Sequence, residues 1–254
     1  MLIKSLIVAF SMYSIIPMPH ADWSERNMRW SFCFFPLVGA AVGGASFLWI
    51  LACGFFDVGD IARCCILAAI PLLVTGGIHA DGFADTMDAV HSWQDREKKL
   101  EIMRDSHIGA FAVIMLALYY LCFLAGLSEI DFANARMCVA LGLAFVYSRA
   151  LAGTALVFGK SARHEGLAYA FAKAGSLRAV RVVMLIWDGV SIAAFFGLDF
   201  RFGIVLGGIG IMLLLRFLLH TKKVFGGLTG DLCGCFIMMA ELIMILLLGV
   251  LSHA

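Results

Sequence analysis

Hydrophobic positions in this chain come in long blocks, parted by short polar stretches. Apolar runs cover Phe32–Phe56, Ile61–Ile78, Ile108–Leu127, Met137–Phe158, Val182–Leu198, Phe202–Leu219 and Cys233–Leu251. A helix needs about 20 such residues to cross the hydrocarbon layer. The blocks therefore predict about seven transmembrane helices, the second short and loosened at its end by Gly76-Gly77. The first segment, Met1 to Pro19, is apolar apart from polar Lys4 and ends in Pro17-Met18-Pro19. It reads as a short interfacial or re-entrant helix, with a true span as the alternative. No small-residue cleavage site follows it, so it does not read as a signal peptide. Gly39-xxx-Gly43 and Gly203-xxx-Gly207 suit close helix packing. The expected fold class is all-α: a polytopic integral membrane helical bundle, forming a single domain over residues 1–254.

Composition agrees. Hydrophobic residues make up 62% of the chain and charged residues 15%, with a mean hydropathy of +0.95. Soluble domains are nearer half apolar and a quarter charged. A net charge of +1 argues against a nucleic-acid partner, which favours a basic surface. The eight cysteines lie in or beside apolar segments without a CxxC pair, as buried small hydrophobes do.

The loops alternate in charge. One set holds Arg26 and Arg29; Arg96, Lys98, Lys99 and Arg104; Lys160, Arg163, Lys173, Arg178 and Arg181; and Lys222 and Lys223. The other has only Arg63, Arg136 and Arg201. The positive-inside rule places the first set in the cytoplasm and the carboxyl end outside. Every polar motif falls on the cytoplasmic side.

The most informative motif is Gly76-Gly77-Ile78-His79-Ala80-Asp81-Gly82-Phe83-Ala84-Asp85-Thr86-Met87-Asp88. Spacing of i, i+4 and i+7 puts Asp81, Asp85 and Asp88 on one helix face. Stacked like charges repel, and a hard divalent cation such as Mg²⁺, shared with substrate phosphates, removes that repulsion. The loop ends in Arg104-Asp105-Ser106-His107-Ile108-Gly109. If its two spans pack side by side, Asp105 returns beside Asp81 and completes the metal shell. Gly226-Gly227-Leu228-Thr229-Gly230-Asp231 repeats the Gly-Gly-x-x-x-Asp outline. Its glycines allow backbone N–H groups to approach a phosphate, and Asp231 is a further candidate ligand. Arg163 suits a phosphate clamp. Either His79 or His107 is a candidate general base, with a hydrogen-bonding helix-end histidine as the equal alternative. Among embedded charges, Arg149 should face the bundle interior, Glu241 implies a site or a partner, Asp188 is expected to pair with an arginine, and Arg216 should snorkel.

Clustered carboxylates and basic groups at one surface favour a phosphoryl- or phosphodiester-transferring enzyme. A transporter, which holds its polar residues near mid-bilayer, is the alternative. No His-Glu-x-x-His motif supports an intramembrane zinc protease.

At these residues the chain resembles cobalamin synthase, the adenosylcobinamide-GDP ribazoletransferase family. The likeness runs through Pro17-Met18-Pro19, Phe35-Pro36-Leu37-Val38-Gly39, the aspartate motif, Met103-Arg104-Asp105-Ser106-x-x-Gly109, Arg149, Arg163-x-Glu165-Gly166-Leu167, the Gly226 motif through Gly234, and Glu241. Ala89, Ala112 and Cys235 depart from it. The resemblance implies a Mg²⁺-dependent enzyme of a prokaryotic inner membrane. It would join adenosylcobinamide-GDP to α-ribazole, or its 5′-phosphate, with release of GMP. It implies Mg²⁺ on Asp81, Asp85 and Asp88, with Asp105 or Asp231, and Asp88 or His79 as proton acceptor. Arg104, Ser106, Arg149, Arg163, Glu165, Lys223, Gly226, Gly227, Thr229 and Glu241 are the implied substrate contacts. A homo-oligomer is left open.

Overall fold

In a computed structural model, residues 2–21, 24–162 and 177–254 are described. Helices dominate, and among the described residues the only extended pairing is an isolated bridge between Ser161 and Leu228. In chain order they are α1 Leu2–Tyr13, α2 Glu25–Ser31, α3 Phe35–Phe56, α4 Asp60–Thr75, α5 Ile78–His91, α6 Arg96–Ile102, α7 Ala110–Ser128, α8 Ala135–Phe158, α9 Leu177–Leu198, α10 Phe200–Val224 and α11 Gly230–Ser252. Six of the described helices are long and apolar enough to cross a membrane, and α4 with α5 makes a seventh, broken candidate. The protein is a multi-pass membrane helical bundle.

Burial orders the bundle. The apolar windows of α8 and α11 are 78% and 72% buried, against 22–28% for α7, α9 and α10. So α8 and α11 form the centre and α7, α9 and α10 lie at the periphery. Small residues let the backbones meet there. A Cβ on Gly43 would stand 2.7 Å from the Gly142 carbonyl oxygen, and one on Gly39 would overlap the Phe145 carbonyl. The expected packing role of this glycine pair is therefore met on α8. Gly203 and Gly207 lie in a π-helical stretch of α10 against Phe196 and Ile192 of α9. The widened turn leaves the Gly207 carbonyl to accept a hydrogen bond from the buried Tyr147 hydroxyl at 3.0 Å.

The connections differ between the two ends. At one end they are brief, and His253 meets Glu129 at 3.0 Å while the Asp131 amide donates to Ser252. At the other lie α5, α6, the Lys160 segment and the loop before α11. The 12-residue α1 is too short to cross lipid. It reaches this second end, where the Ile15 amide donates to the Val74 carbonyl.

The second expected span needs correction. It stops at Thr75, and the chain turns by 96° into α5. Gly76 and Gly77 both have positive φ, +65° and +80°, a conformation costly for residues with a Cβ. The glycine pair is therefore a sharp corner rather than a loosened helix end. The span expected to begin at Ile108 begins at Ala110, because Gly109 caps it. The π turn carries α10 on to Val224, beyond the expected Leu219. All eight cysteines are free thiols and six are buried, as small hydrophobes.

Gly39→Val should destabilise the bundle by about 1–3 kcal/mol or more, as overpacking does. Thermal unfolding in detergent should show a lowered midpoint, whereas Gly44→Val, at a position with open space around it, should leave it unchanged.

Candidate functional site

The corner at Gly76-Gly77 lays α5 across the starting ends of α7 and α11. Two glycines fix the second crossing. A Cβ on Gly82 would lie 2.7 Å from the Asp231 carbonyl oxygen, and one on Gly234 would lie 3.2 Å from the His79 Cα. Backbone contact at this point puts Asp231, in the first turn of α11, beside the helix face that carries Asp81 and Asp85. Asp81 is exposed, while Asp85 and Asp231 are half-buried. Helix starts carry unpaired N–H groups and a positive dipole end. The starts of α5 and α11 lie near this crossing, which offsets the carboxylate repulsion and suits a phosphate ligand.

Asp88 has a different task from its two helical neighbours. Its carboxylate accepts hydrogen bonds from the Gly109 amide at 2.6 Å and the Ala112 amide at 2.8 Å. It thus caps α7 from another helix, and a Cβ on Gly109 would meet that carboxylate at 2.5 Å. The loop does return to α5, but through Gly109 and Asp88 rather than through Asp105. Asp105 is exposed and paired with His107, whose ring nitrogen lies at 2.6 Å and whose amide donates at 3.0 Å. The hydrogen bonds from the His107 ring and amide hold the Asp105 carboxyl below its usual range. The expected role of Asp105 beside Asp81 is not what this geometry displays.

The glycine loop is well anchored. The Leu228 amide donates to Lys160 O at 2.7 Å, and the Ala162 amide donates to Leu228 O at 2.9 Å. The Thr229 hydroxyl accepts from the Leu232 amide at 3.2 Å and caps α11. Gly226 has φ +73° and lies under the Arg96 guanidinium. A Cβ on Gly227 would meet Lys160 O at 2.5 Å. Ala89, Met103, Phe225 and Leu232 form a small buried apolar cluster that ties α5, the end of α6 and this loop together. The Ala89 methyl is used in that packing. Arg104, Ser106 and Lys223 are exposed around the site. Arg163 and Glu165 lie outside the described residues.

A second polar group sits deeper. Arg149 is fully buried in α8 and ion-paired with Glu241 of α11. The Ser148 hydroxyl donates to the same Glu241 oxygen at 3.0 Å, and Arg149 also donates to Phe145 O at 2.8 Å. Arg149 Nε and Nη2 and His79 Nε2 are buried without a hydrogen-bond partner. They border one narrow cleft with Thr75, Tyr119 and Tyr120. Glu241 stands ten residues along α11 from Asp231, about 15 Å at 1.5 Å per residue. Arg149, Glu241 and His79 therefore form a group beneath the aspartate face, not part of it. Asp188 accepts a hydrogen bond from the Thr154 hydroxyl at 2.5 Å. That hydroxyl, not the expected arginine, is its partner.

Among the described residues, no three His, Cys, Asp or Glu side chains are gathered closely enough to hold a metal ion by themselves. Mg²⁺ is commonly bound through one or two carboxylates together with substrate phosphates and water. Asp81, Asp85 and Asp231 supply donors of that kind from two helices. Arg96 was not singled out by its sequence context, which marks it only as one basic residue in a basic loop. The positive φ of Gly226 was equally unmarked.

The cobalamin-5-phosphate synthase family model matches residues 5–249. An adenosylcobinamide-GDP ribazoletransferase of Lachnoclostridium phytofermentans is 38% identical over 240 residues, covering 94% of this chain and 91% of the relative. The protein of the same name from Clostridium perfringens strain 13 is 30% identical over 249 residues, covering 98% of each. No solved structure matches.

Removing one member of a buried pair leaves the other charge uncompensated, at a cost of about 3–5 kcal/mol. Glu241→Leu should accordingly lower the unfolding midpoint in detergent sharply. Adding Arg149→Met should restore most of it. A double variant no more stable than Glu241→Leu would show that the pair is not what couples α8 to α11.

Proposed function

Because the chain belongs to the cobalamin-5-phosphate synthase family, we propose that it moves the adenosylcobinamide-phosphate part of adenosylcobinamide-GDP onto α-ribazole or its 5′-phosphate. Its class, a membrane-embedded transferase of cobalamin synthesis, is that of the family. The observation that carries the finer reading is the meeting of α5 and α11 at Gly82, which sets Asp231 beside the Asp81 and Asp85 face near the starts of both helices.

A diphosphate bound there faces unpaired backbone N–H groups as well as carboxylates. One or two of Asp81, Asp85 and Asp231, together with the substrate phosphates, would hold Mg²⁺. Its chemistry would be to neutralise the diphosphate and the charge that develops on the leaving phosphate. A ribose hydroxyl oxygen of the ribazole, one that is free in both α-ribazole and its 5′-phosphate, attacks the phosphorus bonded to the cobinamide arm. The bond from that phosphorus to the bridging oxygen breaks, GMP departs, and the hydroxyl proton is released. Exposed Lys223 and Arg104, with Ser106, supply compensating groups around the departing nucleotide. Gly226, Gly227 and the Thr229 cap keep the backbone close. Arg96 lies directly over Gly226 and joins that basic rim.

Asp88 serves in this scheme as a positioning residue, holding the start of α7 to α5. His79, Arg149 and Glu241 support the floor beneath. The transporter alternative loses its main support, since Arg149 is paired with Glu241 and Asp188 is bonded to Thr154. Basic residues crowd the end that carries the site, against Arg63, Arg136 and Arg201 at the other. That asymmetry supports a cytoplasmic active site.

Purified protein should release GMP from adenosylcobinamide-GDP and α-ribazole with Mg²⁺ present and cease to do so with chelator. Asp85→Asn should lower turnover by at least about 100-fold, in line with loss of transition-state charge stabilisation, while the unfolding midpoint in detergent holds. Unchanged turnover would remove Asp85 from the scheme.

A further inference from the structure

Helices α10 and α11 are joined by a short loop, yet they part below it. Between them, with α5 as the third wall, runs a groove of about 330 Å³. Leu213 and Phe217 of α10, Phe236, Met239 and Ile243 of α11, and Met87 of α5 line it. Its floor reaches Ile243, 13 residues beyond Gly230, or about 20 Å along α11 at 1.5 Å per residue. That depth exceeds half of the roughly 30 Å hydrocarbon layer. An acyl chain of one leaflet fits such a length.

The rim is not apolar. Arg216 and His220 border the groove one helical turn apart, and both are exposed. The charges that act on His220 are Arg216, Lys223 and Lys99, all of them basic. That gathering of Arg216, Lys223 and Lys99 around His220 makes this rim complementary to an anion. A guanidinium is well matched to phosphate oxygens. A zwitterionic headgroup would bring its ammonium into the same basic field. We propose that the α5–α10–α11 groove is a binding site for one anionic phospholipid, its acyl chain between α10 and α11 and its phosphate under Arg216 and His220. The lipid then also packs against Thr86, Met87 and Val90, on the helix that carries the aspartates.

Native mass spectrometry of the detergent-purified protein, loaded with equimolar phosphatidylglycerol and phosphatidylcholine, tests this directly. The wild type should retain one phosphatidylglycerol with a preference of at least about fivefold, the factor that about 1 kcal/mol per basic side chain gives near an anionic headgroup. Arg216→Gln with His220→Gln should abolish the preference. Met239→Trp, at a lipid-exposed wall position, should fill the groove and abolish retention itself. Equal retention of both lipids by the wild type, or a preference that survives Arg216→Gln with His220→Gln, would overturn the site. So would displacement of phosphatidylglycerol by soluble glycerol phosphate, since the apolar groove would then contribute nothing. Lipid retention is read without turnover, so its failure is distinct from failure of the transferase reading.

Discussion

The arrangement depends on the backbone contact between α5 and α11. It is possible only because Gly82 and Gly234 have no side chains. A Cβ at either position would press on main-chain atoms of the partner helix, at Asp231 or at His79. Main chain cannot swing aside as a flexible side chain does. The 96° turn at Gly76-Gly77 sets the direction from which α5 arrives. Together these two features take a segment that would otherwise continue through lipid and lay it over the ends of its neighbours. Carboxylates on that segment then meet helix starts, where negative charge is favoured.

Charges elsewhere obey the same economy. Three embedded ionic groups each meet a partner from another helix: Arg149 meets Glu241, Asp188 meets Thr154 and Asp88 meets the amides of α7, while Arg149 Nε and Nη2 and Asp188 Oδ1 keep no hydrogen bond. Such links are costly to break in a low-dielectric interior. They hold α8 to α11, α8 to α9 and α5 to α7. The polar floor formed by His79, Arg149 and Glu241 therefore acts as structure supporting the site above. That division, a rigid paired interior and a charged exposed rim, is what an enzyme acting at the membrane surface requires.

The spans were legible because a long apolar run has few alternatives to a crossing helix. The aspartate register was legible for a similar local reason, since i, i+4 and i+7 share a face. Contacts distant along the chain were not. Asp88 meets Gly109 across 21 positions and Arg149 meets Glu241 across 92, and neither pairing has a local signature. The acidic loop does close on α5, through Gly109 and not through Asp105, four residues earlier. Sequence marks the acid near the loop's end, whereas backbone amides, which carry no sequence signal, make the contact. The corner at Gly76-Gly77 was visible as a pair of glycines, but its angle depends on φ values that only the packing of α5 on α11 selects. Arg96 over Gly226 was hidden because one basic residue in a basic loop looks like any other.

The central claim is that Asp85 of α5 and Asp231 of α11 face one shared cation. Mn²⁺ bound in place of Mg²⁺ can be counted by electron paramagnetic resonance, with adenosylcobinamide-GDP present, across a double-mutant cycle of Asp85→Asn and Asp231→Asn. Each single change should weaken Mn²⁺ binding, and the double variant should lose clearly less than the sum of the two, as ligands of a common ion do. Strictly additive losses, or wild-type affinity in Asp231→Asn, would contradict the account.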